Sequence, residues 1–528
     1  MQYIKKIIRN NIFRLCLLLV VSIVVLLLNV TKTLYVGKYI DFLTNELNVV
    51  NLYKFVGILF ILGILSILFN FVNAYYTAKI QTDITFKVNF DVLDHVKHLP
   101  LIFFSDKDSF YINQRINADS NVIVSFLISS FIKITTLIFS FIVLFTILLK
   151  LNVHITIIAV ITIPVYLTLY NIFKKLLYNR TLEFKEAQNR LFSFMGKQIS
   201  NIFFIKINSL YELLNLKLLS VYPAFFSSVK KYLKSSILFS STSSIIENIF
   251  NIFLYVFTGI EVLNNRMTIG EFIIIKGYYS MVMTSLGEFA GILKQFPDAM
   301  VAHHRLLEIL NFFKEPDGTR MLNKISIISG DNISLLLQDK QIIQNFSFQF
   351  IKGKIYLISG KNGVGKSSLI KCILGLYRKE MKGEIKYNDN NINEIDLYNI
   401  RKKIISVVDQ DAEFFFDSVI ENISYNNNNI NYKKVEEYML KFGLQIGYKE
   451  TQNNVRHLSG GEKQKISIIR ALLKDPEVLI LDEPTSALDT YSVDKLIEEI
   501  NEQKMNRITI VISHDERFIN IADVNVNL

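Results

Sequence analysis

A chain of 528 residues exceeds what one hydrophobic core organises, so at least two domains are expected. Hydrophobic residues at 51% and a mean hydropathy of +0.31 are high for a soluble protein, and the long apolar runs stop near Phe313. The net charge of +11 would suit a nucleic-acid binder, but Lys and Arg gather at one set of apolar-segment ends, which is the bias of membrane proteins and argues against nucleic acid.

The basic start Met1–Arg14 leads into an apolar run with no small-residue cleavage site after Leu28, so this run reads as a spanning helix and not as a signal peptide. A helix crosses the hydrocarbon core with about 20 apolar residues. Six segments qualify: 12–36, 52–76, 122–149, 153–173, 236–262 and 270–294. Lys5, Lys6, Arg9 and Arg14 precede the first. Lys79, Lys87, Lys97, Lys107 and Arg115 lie between the second and third, and a run of Lys and Arg from Lys174 to Lys231 lies between the fourth and fifth. The opposite links hold little beyond Lys38, Lys150 and Arg266. The positive-inside rule therefore places the N-terminus, both long segments and the C-terminal part in the cytosol, with the chain in a cell membrane.

The two long cytosolic segments keep helical periodicity and extend the spanning helices beyond the bilayer. The first contains Leu99–Phe104, then Arg115 and Asp119, and reads either as a lever or as an amphipathic connector. Lys133 and Glu247 fall at similar depth near the inner leaflet, where an ion pair or snorkelling would satisfy them. Glu288 and Lys294 fall at the cytosolic end of the sixth segment. The two cysteines, Cys16 and Cys372, allow neither a disulfide framework nor a zinc pattern.

From about Asp331 the composition is that of a soluble domain. The stretch Gly360-Lys361-Asn362-Gly363-Val364-Gly365-Lys366-Ser367 matches G-x-x-x-x-G-K-[ST], with a strand predicted over 354–359 and a helix over 368–374. Such a setting lets backbone N–H groups curl around phosphate oxygens at a helix N-terminus, with Lys366 on the β and γ phosphates and Ser367 on Mg²⁺. Further on, Leu458-Ser459-Gly460-Gly461 opens a helix over 465–474, and a Ser hydroxyl with exposed N–H groups there makes a second anion site. The apolar run Val478–Leu481 predicts a buried parallel strand, with Asp482 at its end placed for Mg²⁺ and Glu483 placed to polarise a water.

Leu-Ser-Gly-Gly ahead of an Asp-Glu strand, downstream of a phosphate loop, resembles the ATP-binding cassette superfamily, and the resemblance covers residues 331–528. It implies ATP and Mg²⁺ as ligands, with Gly360, Asn362, Gly363, Gly365, Lys366, Ser367 and Ser368 around the nucleotide and Asp482 on the metal. Gln410 matches the glutamine that contacts Mg²⁺ and the membrane levers. His514, after the strand Ile508–Ile512, matches the histidine on the γ-phosphate. Ser459, Gly460, Gly461 and Asp489 match elements that close on nucleotide held by a second cassette.

The membrane half resembles the exporter branch of that superfamily, six-helix half-transporters for drugs, lipids or peptides. Arg115 and Asp119 match its first coupling region, Lys206 and Glu212 the approach to the second, and Ala302, Arg305 and Glu308 the helix leading to the cassette. The expected organisation is a six-helix all-α transmembrane domain over 1–313, a linker over 314–330, and an α/β P-loop NTPase cassette with a helical subdomain over 331–528. The expected activity is ATP-driven export by a homodimer, in contact with membrane lipid, of a peptide or other amphipathic compound. Alternatives are a heterodimer with a related chain, a lipid flippase or multidrug exporter, an importer of exporter architecture, and a soluble-type cassette ATPase. Leu337 stands where the family places an adenine-stacking aromatic, Thr451–Val455 lacks the acid of the exporter motif, and 410–458 is short for the family. Any peptide cargo is expected to arrive already trimmed, since no Cys/His peptidase pattern stands before the first span in this sequence, and the usual C-terminal helices are expected to be curtailed after His514.

Overall fold

The structure is a computed structural model that describes residues 2–45, 49–105, 109–338, 340–361, 363–425, 431–444, 455 and 458–528. The chain divides into two compact units, Met1–Leu99 with Phe104–Phe313, and Pro100–Phe103 with Lys314–Leu528.

The first unit is helical because lipid offers no partner for a free N–H or C=O, so each apolar run must satisfy its own backbone. In chain order come α1 (Gln2–Asn45), α2 (Val49–Lys97), the short α3 (Ile102–Ser105) and α4 (Ser109–Gln114), and a π-turn at Arg115–Asp119. Then follow α5 (Ser120–Leu151), α6 (Val153–Ser200), the short α7 (Ile202–Ile207), α8 (Tyr211–Leu263) and α9 (Ile269–Leu310). Each expected span lies inside one of the long helices α1, α2, α5, α6, α8 and α9. Among the described residues the first five contain stretches long and apolar enough to cross a membrane, and α9 does not. Its position explains the difference. α9 packs against α1, α5, α6 and α8, with Tyr278, Tyr279, Val282 and Met283 buried, so its neighbours are protein side chains more than lipid.

Polar contacts fix the helices to one another. Ser22 Oγ donates to Asn73 Oδ1 at 3.2 Å and Ser66 Oγ to Asn29 Oδ1 at 3.1 Å, pinning α1 to α2 within the apolar region. At the outer ends, Asp41 of α1 accepts from Gly270 N at 2.7 Å and from Thr268 Oγ1 at 2.9 Å, closing on the N-terminus of α9. Gly270 permits this approach, since a Cβ there would lie 2.3 Å from the Asp41 carboxylate.

At the cytosolic end, the π-turn turns Arg115 and Asp119 toward α9. Arg115 Nη1 donates to Glu308 Oε2 at 2.6 Å and to Arg305 O at 3.3 Å, and Arg305 Nε is ion-paired with Asp119 Oδ2 at 3.2 Å. Four residues that the sequence offered separately, two in the first coupling region and two in the helix leading to the cassette, thus form one network, with Arg115, Asp119 and Arg305 buried. The ion pair considered between Lys133 and Glu247 is not formed among the described residues of this chain, where neither residue has an ion-pair partner.

The second unit holds two sheets. A four-stranded antiparallel sheet, ordered β2-β1-β4-β5, comprises β1 (Ile327–Leu337), β2 (Lys340–Ile351), β4 (Met381–Tyr387) and β5 (Asn390–Asn391). A five-stranded parallel sheet, ordered β6-β7-β8-β3-β9, comprises β3 (Ile355–Ser359), β6 (Ile405–Val408), β7 (Val478–Asp482), β8 (Ile508–Ile512) and β9 (Val524–Asn527). Every residue of β7 and β8 is buried, as a parallel sheet covered on both faces requires. The helices are α10 (Lys366–Ile373), α11 (Leu397–Lys403), α12 (Val419–Ser424), α13 (Tyr432–Lys441), α14 (Gly460–Leu473), α15 (Thr490–Glu502) and α16 (Glu516–Ile521). The segment before β1 is hydrogen-bonded to this unit: Gly318 N donates to Ile395 O at 3.1 Å, and Arg401 pairs with Glu315 at 2.9 Å.

Two boundaries differ from expectation for a physical reason. α10 begins at Lys366, because Gly365 takes the left-handed conformation that ends the loop. α14 begins at Gly460, well before Lys465, because Ser459 and Glu462 form a capping box that starts the helix at the glycines.

Candidate nucleotide site

The loop between β3 and α10 is shaped by glycines. Gly363 has φ 80° and Gly365 φ 112°, conformations in which other residues are strained. A Cβ on Gly365 would also meet Ile342 at 3.0 Å. Lys366 Nζ donates to Gly360 O at 2.8 Å, folding the side chain back over the loop, and lies 3.4 Å from His514 Nε2. Ser367 and Ser368 open α10, at the positive end of its dipole. Asn362 lies outside the described residues.

Adjacent strands deliver the acids. Asp482 closes β7, is buried, and shares a hydrogen bond with the Ser367 side chain. Burial pushes its carboxyl above the ordinary range, with nearby Asp409 adding to the effect and Lys371 and Lys366 opposing it. Glu483 follows in a left-handed conformation, φ 48°, which costs an L-residue about 1 kcal/mol. Its N–H donates to Ile512 O of β8 at 2.8 Å, and its carboxylate lies 3.6 Å from His514 Nε2. Strand order β7-β8-β3 thus lines up Glu483, His514 and Lys366 beside the Ser367–Asp482 pair. Gln410 sits on an exposed bend after β6, with no hydrogen bond to that group among the described residues. The backbone beside it is anchored, as Asp409 O accepts from Gln464 Nε2 at 3.5 Å.

The helix-capping glycines form a second locus. Ser459 N and Oγ donate to Glu462 Oε2 at 2.8 and 2.7 Å. A Cβ on Gly460 would meet nothing within 4 Å, whereas Gly461 packs under Ala487 O. Asp489 pairs with Lys465 at 3.1 Å, so the structure brings Asp489 to α14. Sequence reasoning missed Glu462, Lys465 and Arg470. The S-x-x-E spacing was available as a cap signal for Glu462. Arg470 had no signal: its guanidinium lies over Phe414 and Tyr425 and donates to Glu413 O at 3.3 Å, tying α14 to the segment after Gln410.

The donor set fits Mg²⁺. Among the described residues no cluster of three or more His, Cys, Asp or Glu occurs, and Mg²⁺ on nucleotide takes one or two protein oxygens and draws the rest from phosphates and water. Ser367 and Asp482, hydrogen-bonded to each other, are placed to supply such oxygens.

A family model for the ABC transporter transmembrane region matches residues 15–286, and one for the ABC transporter cassette matches 343–486. The chain belongs to the ABC transporter family. Among relatives, it is 25% identical over 480 residues to "ATP-dependent lipid A-core flippase 2" of Colwellia psychrerythraea, covering 87% of this chain and 80% of the relative. It is 26% identical over 498 residues to "ATP-dependent lipid A-core flippase" of Haemophilus influenzae, covering 89% and 81%. The fold matches a bacterial Atm1-family ABC exporter solved with ATP bound, with TM-score 0.87 at 18% identity, covering 99% of this chain and 93% of that one. This ABC transporter is an exporter-type half-transporter: a multi-pass membrane protein whose cytoplasmic cassette hydrolyses ATP with Mg²⁺ to drive export.

Proposed function

We propose that two copies of this chain form an ATP-driven flippase that moves an amphipathic lipid out of the inner leaflet. The observation that carries the reading is near-full-length similarity to lipid A-core flippases. It moves the weight from the peptide reading of the sequence to the lipid alternative. We assign residues 1–313 to the membrane domain, 314–330 to the connector and 331–528 to the cassette.

In this reading the amides of Gly360–Gly365 and Lys366 bind the phosphate chain, while Ser367 and Asp482 hold the metal. Mg²⁺ supplies charge neutralisation on the phosphoryl oxygens. Glu483 orients and deprotonates the attacking water, His514 holds the terminal phosphate, and Gln410 senses the filled site. Ser459, Gly460, Gly461 and Asp489 serve the nucleotide of the partner copy; within their own chain they gather at the N-terminus of α14, where Ser459 bonds Glu462 and Asp489 pairs with Lys465. Binding of ATP drives transport by preferring the closed dimer, since a ligand shifts an equilibrium only through differential affinity.

The test is ATP turnover and lipid translocation by the purified chain in proteoliposomes, beside Glu483→Gln. Turnover by wild type and a loss of about a thousandfold or more in the variant supports the homodimer and the base. An inert pure wild-type chain points to a second, different half-transporter; turnover without lipid movement removes the lipid reading.

A further inference from the structure

The inner half of the helical unit holds a cavity that nucleotide chemistry leaves unused. α6, α8 and α9 enclose about 490 Å³, lined in part by Tyr166, Ser240, Ser243, Glu247, Lys294 and Asp298. At about 1.5 Å per residue from Leu263, Glu247 lies about 24 Å below the outer end of α8, within a core of about 30 Å. Counted likewise from Ile269, Lys294 and Asp298 lie about 37 and 43 Å down, at the cytosolic boundary.

Charges at the mouth are matched. Lys294 Nζ lies 3.4 Å from Ser240 Oγ, while Asp298 bonds Thr181 and faces Lys185 and Lys294. The deep end is different. Glu247 has no ion pair or hydrogen bond among the described residues, and its carboxylate is within electrostatic reach of the phenols of Tyr166 and Tyr279. The Tyr166 hydroxyl is engaged with Ser243 O at 3.3 Å. Tyr279 is fully buried, and its hydroxyl has no hydrogen-bond partner among the described residues. Glu247 thus lines the cavity as an unpaired acid at a depth where an unpaired charge is costly. The cavity also has room: a Cβ on Gly287 or Gly291 would meet no atom within 4 Å. A site built for an anionic headgroup would place cations at that depth, and the one lining cation, Lys294, sits at the mouth.

Resting on the lipid-export reading above, we propose that this cavity loads the transported molecule and selects an amphiphile bearing an ammonium group, with the ammonium on Glu247. Phe239 of α8 and Ala290 of α9, which also line the cavity, receive apolar parts, and Ser240 and Ser243 receive polar ones.

The test titrates dodecylamine and, separately, dodecyl phosphate against the ATP turnover of the full chain in nanodiscs. Dodecylamine should stimulate turnover. Glu247→Gln should raise its half-maximal concentration about tenfold or more, the loss of one charge-assisted contact. Glu247→Asp should keep the response, and Gly291→Leu should abolish it by filling the cavity, which keeps the proposal testable if Glu247→Gln misfolds. Lys133→Gln, outside the cavity, should respond as wild type does. Equal stimulation by dodecyl phosphate, or indifference to both Glu247→Gln and Gly291→Leu, overturns the proposal. Lipid translocation by wild type with such indifference sinks the ammonium site and leaves lipid export standing. Dodecylamine stimulation that depends on Glu247, with no lipid translocation, supports the site and removes lipid as its cargo.

Discussion

The Ser459 hydroxyl answers to two demands. Within its chain it donates to Glu462 Oε2 and accepts from Glu462 N, starting α14. In the proposed dimer it faces the partner's nucleotide. Ser459→Ala should cost about 1 kcal/mol of stability, the worth of a cap, and a far larger fraction of turnover. Ser459→Asn, which caps as well as Ser, should keep the thermal midpoint and still lose turnover. The cap also has a pH signature. Hydrogen bonds from the Ser459 side chain and backbone hold the Glu462 carboxyl below its ordinary value. Its stabilisation is complete above that ordinary value and is lost as pH falls through the lowered one. The midpoint difference between wild type and Glu462→Gln should stay flat from neutral pH down, then shrink in acid. A constant gap throughout would remove the cap from the account. At this scale the sequence was most informative for the phosphate loop, because gripping phosphate demands fixed residue types at fixed spacing from Gly360 to Ser367. The approach of Lys366 to His514, and of Ser367 to Asp482, comes from neighbours in the sheet, which spacing along the chain does not encode.

Between elements, the network of the π-turn with α9 offers the sharpest prediction. Removing one member of a buried ion pair typically costs about 3–5 kcal/mol, whereas replacing both by apolar residues is close to neutral. Arg305→Met should therefore lower the thermal midpoint sharply, and Arg305→Met with Asp119→Leu should recover most of it. If the network also transmits motion along α9, the double variant keeps basal ATP turnover and loses lipid translocation; full recovery of translocation would make the network structural only. A π-turn is invisible to periodicity, since its extra residue shifts the helical register by one position inside an unbroken pattern. The start of α14 was misplaced for the opposite reason: glycines read as loop until the cap beside them is taken into account. α9 was legible as a span from length, and its greater polarity makes sense only with its protein neighbours in place.

For the whole molecule, the prediction is complementation. If Lys366 acts on one nucleotide and Ser459 on the other, a homodimer of Lys366→Ala and a homodimer of Ser459→Ala are both inert. A mixed dimer retains one intact pair. Co-assembly at equal amounts should restore about a quarter of wild-type sites, from random pairing of two chains. No recovery on mixing would place both residues at the same nucleotide. Pairing of this kind is readable from one sequence only through resemblance, because the second half of the site lies on another molecule. The junction of Asp41 with Thr268 and Gly270 bears on how such a dimer opens. Two hydrogen bonds to a carboxylate, packed glycine against backbone, weld the first and last long helices at their outer tips. Any state that parts α1 from α9 at the outer side has to break both of these bonds first, so the junction is a latch on that side of the protein.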